Sequence, residues 1–237
     1  PACRHHGRQA SAPAEGQRIG QHAARRPWRR RAGRRRSGSE RLSGVLRCGG
    51  FSLPLDRPLL MGVVNITPDS FSDGGRFLDP QAAVAHGRRL IEEGADILDI
   101  GGESSRPGAQ AAAEQEELNR VVPVLIALRD VPVSVDTRRP SVMRAVLAEG
   151  ASMINDIDAL AAPGALDAVA DSDCAVCLMH KQGDPAFMQQ DPCYEDVVGE
   201  VKQFLSTRIA ACEIAGIERD RITIDPGFGF GKTTEHN

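Results

Sequence analysis

A chain of 237 residues with 41% hydrophobic but only 4% aromatic side chains suits one barrel-sized domain or two small ones, with a core of Val, Leu, Ile and Ala of the kind that parallel strands covered on both faces carry. No apolar run is long enough to span a membrane, and six scattered Cys with no signal peptide argue against a disulfide framework and for a reducing cytoplasm. The net charge of −3 hides two regions: residues 1–41 hold 12 Arg against Glu15 and Glu40, a balance of +10, and the rest hold 17 basic and 30 acidic residues, a balance of −13.

The first 45 residues have no apolar period and are rich in Gly, Ser and Ala beside the Arg. They read as a disordered or non-native extension. An Arg-rich, acid-poor transit peptide is one origin, and translation from a wrong start, suggested by Pro1 in place of a methionine, is another. Nucleic-acid binding through the arm is the weaker reading, because charge runs are usually solvated. Residues 46–237 are taken as the folded domain.

From residue 59 the pattern becomes regular. Leu59–Thr67 is a short apolar run, and Pro80–Gly94 has helical spacing with Asp79 as cap and Gly94 as stop. Asp96–Gly102 is a second strand. Ala111–Leu128 is a helix that Pro123 kinks or splits. Val131–Thr137 is a third strand, followed by a helix over Pro140–Gly150 with Pro at its start and Gly at its end. Ser152–Ile157, the short helix Pro163–Ala170, the strand Ala175–His180, the long helix Asp196–Gly216 and the strand Arg221–Gly227 complete the series. Six strands with a helical segment between each pair predict a parallel sheet with helices outside. Two closures compete, an open doubly wound sheet and a (β/α)8 TIM barrel. The strand spacing favours a barrel with about six of its β/α units present and the last two missing.

Each strand finishes in or beside a polar residue: Asn65, Glu103 to Arg106, Asp136, Asn155-Asp156, His180 and Asp225. In a barrel these tips gather on the C-terminal face, where such enzymes place their active sites. Polar groups buried there without partners would cost about 2–7 kcal/mol each, so the run of tips is read as functional. Asp136, Asn155 and Asp225 offer acceptors and an amide that suit a flat heterocycle with amino, imino and oxo edges. Two Gly-bearing loops, Thr67–Gly75 and Gly101–Gly108, share that face. Arg106 and the hydroxyls suit an anion, and Asn65 and Asp73 suit Mg2+, although either loop could be a plain surface turn.

The tail Pro226-Gly-Phe-Gly-Phe-Gly-Lys-Thr233 imitates a phosphate-binding loop, but Pro226 stands where that motif needs Gly. Its glycines instead allow a tight turn after the last strand, and Phe230 either faces an aromatic substrate or fills core. Cys174-x-x-Cys177 lies in a buried-strand pattern with no second pair, so it reads as core and not as a metal or redox pair.

Asn65-Ile-Thr-Pro-Asp-Ser-Phe-Ser-Asp-Gly-Gly75 and Gly101-Gly-Glu-Ser-Ser-Arg-Pro-Gly108 resemble the two signatures of dihydropteroate synthases, with Ser105 where that family usually has Thr. Ser134–Thr137, Ile154–Asp156, Cys177–His180 and Asp225–Lys232 resemble further family motifs, in the family's order, from about residue 50 to the end. The resemblance implies a barrel that condenses 6-hydroxymethyl-7,8-dihydropterin diphosphate with 4-aminobenzoate to give 7,8-dihydropteroate and diphosphate, as a homodimer. It also implies that Asp136, Asn155 and Asp225 hold the pterin. Asn65 and Asp73 would hold Mg2+ and the diphosphate, Phe71, Ser105, Pro107 and Phe230 would frame the 4-aminobenzoate side, and Arg106 would bind substrate as well. Lys181 stands where the family often has Met. The family's later Ser-Arg-Lys and Arg-x-His motifs do not appear before Asn237, so the expectation is that this stretch alone is inactive and poorly soluble, with two strand edges unpaired, while its longer parent is active. A pterin-binding methyltransferase domain and a degenerate fragment are the competing readings.

Overall fold

The regular pattern after residue 59 becomes six strands and five helices in a computed structural model that describes residues 29–30, 44–67, 79–103, 113–183 and 188–237. In chain order these are β1 Arg29–Arg30, β2 Val45–Cys48, β3 Phe51–Pro54, β4 Met61–Asn65, α1 Pro80–Glu92, β5 Ile97–Gly101, α2 Glu114–Leu128, β6 Val133–Asp136, α3 Pro140–Ala148, β7 Met153–Asp156, α4 Ala165–Ala170, β8 Ala175–Met179, α5 Val197–Ile214 and β9 Ile222–Asp225. Every strand and helix expected from β4 onward is found within a few residues of its predicted place. Asp79 caps α1, its carboxylate accepting from Gln81 N at 2.8 Å, which satisfies one of the amides a helix start leaves orphaned. Pro123 does not split its helix: α2 runs unbroken across it.

The six strands β4 to β9 pair in parallel and in strict sequence order. That order decides between the two closures. A doubly wound sheet reverses its strand order at a switch point, and here there is none. Right-handed crossovers that always step to the next strand put every helix on the same face, so the sheet is the wall of a (β/α)8 barrel, with six of its strands in place. Among the described residues β4 and β9 each pair on one side only.

Period two along each strand sorts the side chains into two layers. Val64, Ile66, Leu98, Ile100, Val133, Val135, Ile154, Val176 and Leu178 face the helices and form the main core with Val121, Leu125, Leu128, Met143 and Val146. Each fully buried Leu or Ile there stabilises the fold by roughly 1.5–3 kcal/mol, so this layer holds the sheet in shape.

The opposite face lines the barrel's interior and is divided along its length. At the N-terminal end the antiparallel hairpin β2–β3 brings Leu46, Cys48 and Leu53 against Ile97, Met153 and Ala175, a second apolar cluster that plugs that mouth. The element series read from the sequence begins at residue 59 and lacks this hairpin. Its signal is short but present: alternating apolar residues on either side of Gly49-Gly50. The plug confines the polar part of the interior to the C-terminal end. No helix among the described residues is long and apolar enough to cross a membrane.

Candidate active site

Backbone register carries one row of residues across the C-terminal end of the sheet. Asn65 lies level with Gly101, Gly101 with Asp136, Asp136 with Asn155, Asn155 with Cys177 and Cys177 with Thr223. Asp225, two residues beyond Thr223, points to the same face one step higher, beside Met179. Four of the residues singled out in the sequence, Asn65, Asp136, Asn155 and Asp225, thus share the interior face. Phe71, Asp73, Ser105, Arg106 and Pro107 lie outside the described residues.

The same period turns two other strand-tip residues away. Asp156 follows Asn155 directly and is fully buried. Its carboxylate accepts from Asp158 N and Leu160 N, both at 2.8 Å, and holds a turn in which Ala159 and Leu160 take positive φ. Burial pushes its carboxyl up to about 6. His180 follows Met179, and its ring packs edge-on against Phe204 of α5 at 5.0 Å between centroids. Both residues serve the wall and not the interior. Lys181, which stands where the resembled family often has Met, pairs with Asp158, 2.9 Å away.

One interior residue was missed. Asp99 stands in mid-strand, one period below Gly101, and is 7% exposed. The Asn155 amide donates to it at 3.0 Å, which commits one amide hydrogen and fixes which way the side chain faces. The signal was available: a carboxylate inside an otherwise apolar strand is rarely placed there for stability. Burial drives the Asp99 carboxyl up, opposed by Ser134 and Asn155.

These carboxylates crowd one another. Burial holds the Asp136 carboxyl well above the ordinary range, and the charges of Asp99, Asp156, Glu117 and Glu103 raise it further. The Cys177 thiol, pushed up to about 12 chiefly by burial, also feels Asp225, Asp99 and Asp136. Register puts Asp99, Asp136 and Asp225 on the same face of the sheet as this thiol. Burial and like charge make Asp99 and Asp136 resist ionisation, and a guest rich in N–H donors or carrying positive charge relieves them.

The stem of the second loop is fixed from outside this space. Glu103 pairs with Arg139 at 3.0 Å and Arg138 at 3.3 Å, Arg139 also pairs with buried Glu117, and Arg120 donates to the Gly102 carbonyl at 2.7 Å. Arg138 and Arg139 follow Asp136 on the chain, so the tip of β6 and the start of the second loop are bound together. At the last strand, Asp225 Oδ1 accepts from Gly227 N at 2.7 Å. Phe230 is half-buried in the turn that follows.

Comparison with known proteins gives one answer. A family profile described as "Pterin binding enzyme" matches residues 61–237. The dihydropteroate synthase of Neisseria meningitidis serogroup C is 52% identical over 198 residues, covering 81% of this chain and 70% of that protein. The structure of Xanthomonas albilineans dihydropteroate synthase with 4-aminobenzoic acid superposes with a TM-score of 0.76 at 58% identity, covering 82% of this chain and 70% of that one. That of Burkholderia cenocepacia dihydropteroate synthase complexed with 7,8-dihydropteroate gives a TM-score of 0.72 at 48% identity, covering 82% and 67%.

Proposed function

The chain belongs to the pterin-binding enzyme family, and on that premise we propose that its interior pocket serves the dihydropteroate synthase reaction of folate biosynthesis. A new C–N bond joins the amine of 4-aminobenzoate to the methylene carbon of 6-hydroxymethyl-7,8-dihydropterin diphosphate, and diphosphate leaves. The observation that carries the reading is the set of half-buried polar groups that β6, β7 and β9 present on one face at the C-terminal end of the sheet. Asp136, Asn155 and Asp225 hold the amino and imino edges of the pterin, and Asp99 keeps the Asn155 amide turned for that contact. As diphosphate departs the methylene carbon gains positive charge, which the half-buried carboxylates of Asp136 and Asp225 would stabilise. Phe71, Ser105, Pro107 and Phe230 frame the 4-aminobenzoate side by the same family resemblance, and Arg106 offers its charge to an anionic part of a substrate.

Among the described residues no three His, Cys, Asp or Glu side chains cluster as a metal cage. An ion such as Mg2+, which keeps several waters and binds largely through substrate phosphates, needs only one or two protein oxygens. Asn65, exposed at the tip of β4, offers one such oxygen, and Asp73 would add the other. Bound there, Mg2+ would neutralise the charge gathering on the leaving diphosphate. The free thiols Cys48, Cys174, Cys177, Cys193 and Cys212 support a cytoplasmic setting, and the family resemblance supports a homodimer.

Titration calorimetry with the pterin diphosphate tests the reading. The expected result is one site per chain that also binds 4-aminobenzoate once diphosphate or the pterin diphosphate is present. A chain that takes up no pterin diphosphate would remove the proposal.

A further inference from the structure

Lys232 is a buried cation that the functional reading leaves unused. It is 6% exposed, and its ammonium lies 3.0 Å from the Gly227 carbonyl, 3.1 Å from the Phe230 carbonyl and 3.4 Å from the His180 carbonyl. A fourth contact, 3.0 Å to His180 Nδ1, makes that nitrogen an acceptor and puts the ring proton on Nε2. Burial lowers the ammonium's pKa, with Asp225 opposing. Its partners come from two places, the tip of β8 and the turn after β9. Lys232 therefore ties the turn Gly227–Phe230 down onto β8. Phe230 N also donates to the Gly227 carbonyl at 3.1 Å, so the turn closes on itself around the ammonium.

The first amide of that turn has a second duty. Gly227 N donates to Asp225 Oδ1 at 2.7 Å. The peptide that Lys232 holds at the Gly227 carbonyl adjoins the one whose N–H sets the rotation of Asp225. We propose that Lys232 is a positioning residue for pterin binding. It touches no substrate, but by clamping the turn it keeps the Gly227 amide on the Asp225 carboxylate and so aims that carboxylate at the pterin. The proposal rests on the reading of Asp225 as a pterin contact.

The test uses the full chain in two variants, Lys232→Met, which removes every donor, and Lys232→Gln, which keeps a neutral one. Dissociation constants for the pterin diphosphate and for 4-aminobenzoate are measured by calorimetry, and exchange of the Gly227 amide by NMR. Lys232→Met should weaken the pterin roughly tenfold, as expected for losing an oriented hydrogen bond, weaken 4-aminobenzoate by a clearly smaller factor through Phe230, whose carbonyl the ammonium also holds, and speed exchange at Gly227. Lys232→Gln should recover affinity and protection together, because the turn needs a donor and not a charge. A role confined to stability would lower the melting temperature without separating the two ligands. Equal losses for both ligands, or pterin affinity and Gly227 exchange moving independently in either variant, overturn the proposal, and the Gln variant decides alone if the Met variant does not fold. A wild-type chain that binds no pterin diphosphate removes the functional reading and this proposal with it. A wild type that binds while Lys232→Met leaves pterin affinity intact removes only the positioning role.

Discussion

Asp136→Asn should weaken pterin diphosphate binding by about ten- to a hundredfold, the loss of a charged acceptor at ~1.5–3 kcal/mol, and at the same time make the free protein more stable at neutral pH. The second half follows from the crowding of carboxylates. Asp136 is held well above the ordinary carboxyl range by burial first, then by Asp99, Asp156, Glu117 and Glu103. A carboxyl whose pKa is raised by folding costs nothing below its unfolded value. Its cost grows as pH rises from there toward the folded value, because the folded state binds the proton more tightly than the unfolded state does. Asn carries no proton to lose and escapes that cost. Thermal melts of the two proteins should therefore differ most at neutral pH and converge as the pH falls toward about 4, the unfolded carboxyl value. A variant that binds poorly but melts below wild type at every pH would mean that Asp136 is a structural acid and not one held under strain for a ligand.

Gly227→Ala should be the most damaging change of a single methyl group. Gly227 has φ +69, and a Cβ built there would lie 1.9 Å from the His180 carbonyl oxygen. The obstacle is backbone at the tip of β8, so it cannot swing aside as a side chain would. The turn after β9 would have to lift, breaking the Gly227 amide contact to Asp225 and the Lys232 clamp together. We expect a loss of roughly 3 kcal/mol or more, the range of strained and clashing sites, and loss of pterin binding. Gly229→Ala is the control. Its φ is +77 but a Cβ there meets nothing within 4 Å, so only the left-handed strain of roughly 1–2 kcal/mol applies. Chemical denaturation of both variants separates the two terms, and similar losses for the pair would show that the contact with His180 is not what fixes the turn.

The strand and helix series was legible because parallel strands buried on both faces write themselves as apolar runs, and because Asp79, Gly94 and Pro140 punctuate the helices. The barrel was legible only as one of two closures, since strand order is a long-range property that local spacing does not encode; the pairing of β4 to β9 in sequence settles it. Among the tips, Asn65, Asp136, Asn155 and Asp225 came out on the interior face. Asp156 and His180 did not, and period two explains why: each is the odd neighbour of an interior residue, so it points to the helices. Applied to Ile97-Leu-Asp-Ile-Gly101, the same rule would have found Asp99. The role of Lys232 was not legible, because its partners are carbonyls of residues whose meeting depends on how the turn after β9 folds back on β8. The hairpin β2–β3 escaped because four-residue strands beside an irregular, Arg-rich segment give too short a pattern to stand out.

The account comes down to whether the acceptors on three strand tips grip one molecule. A crystal structure of the chain soaked with the pterin diphosphate decides it. We expect the bicyclic ring to lie in the interior above the β2–β3 plug, with Asp136, Asn155 and Asp225 each within hydrogen-bond distance of it, about 3 Å. A ring bound with any two of these side chains turned elsewhere would contradict the account.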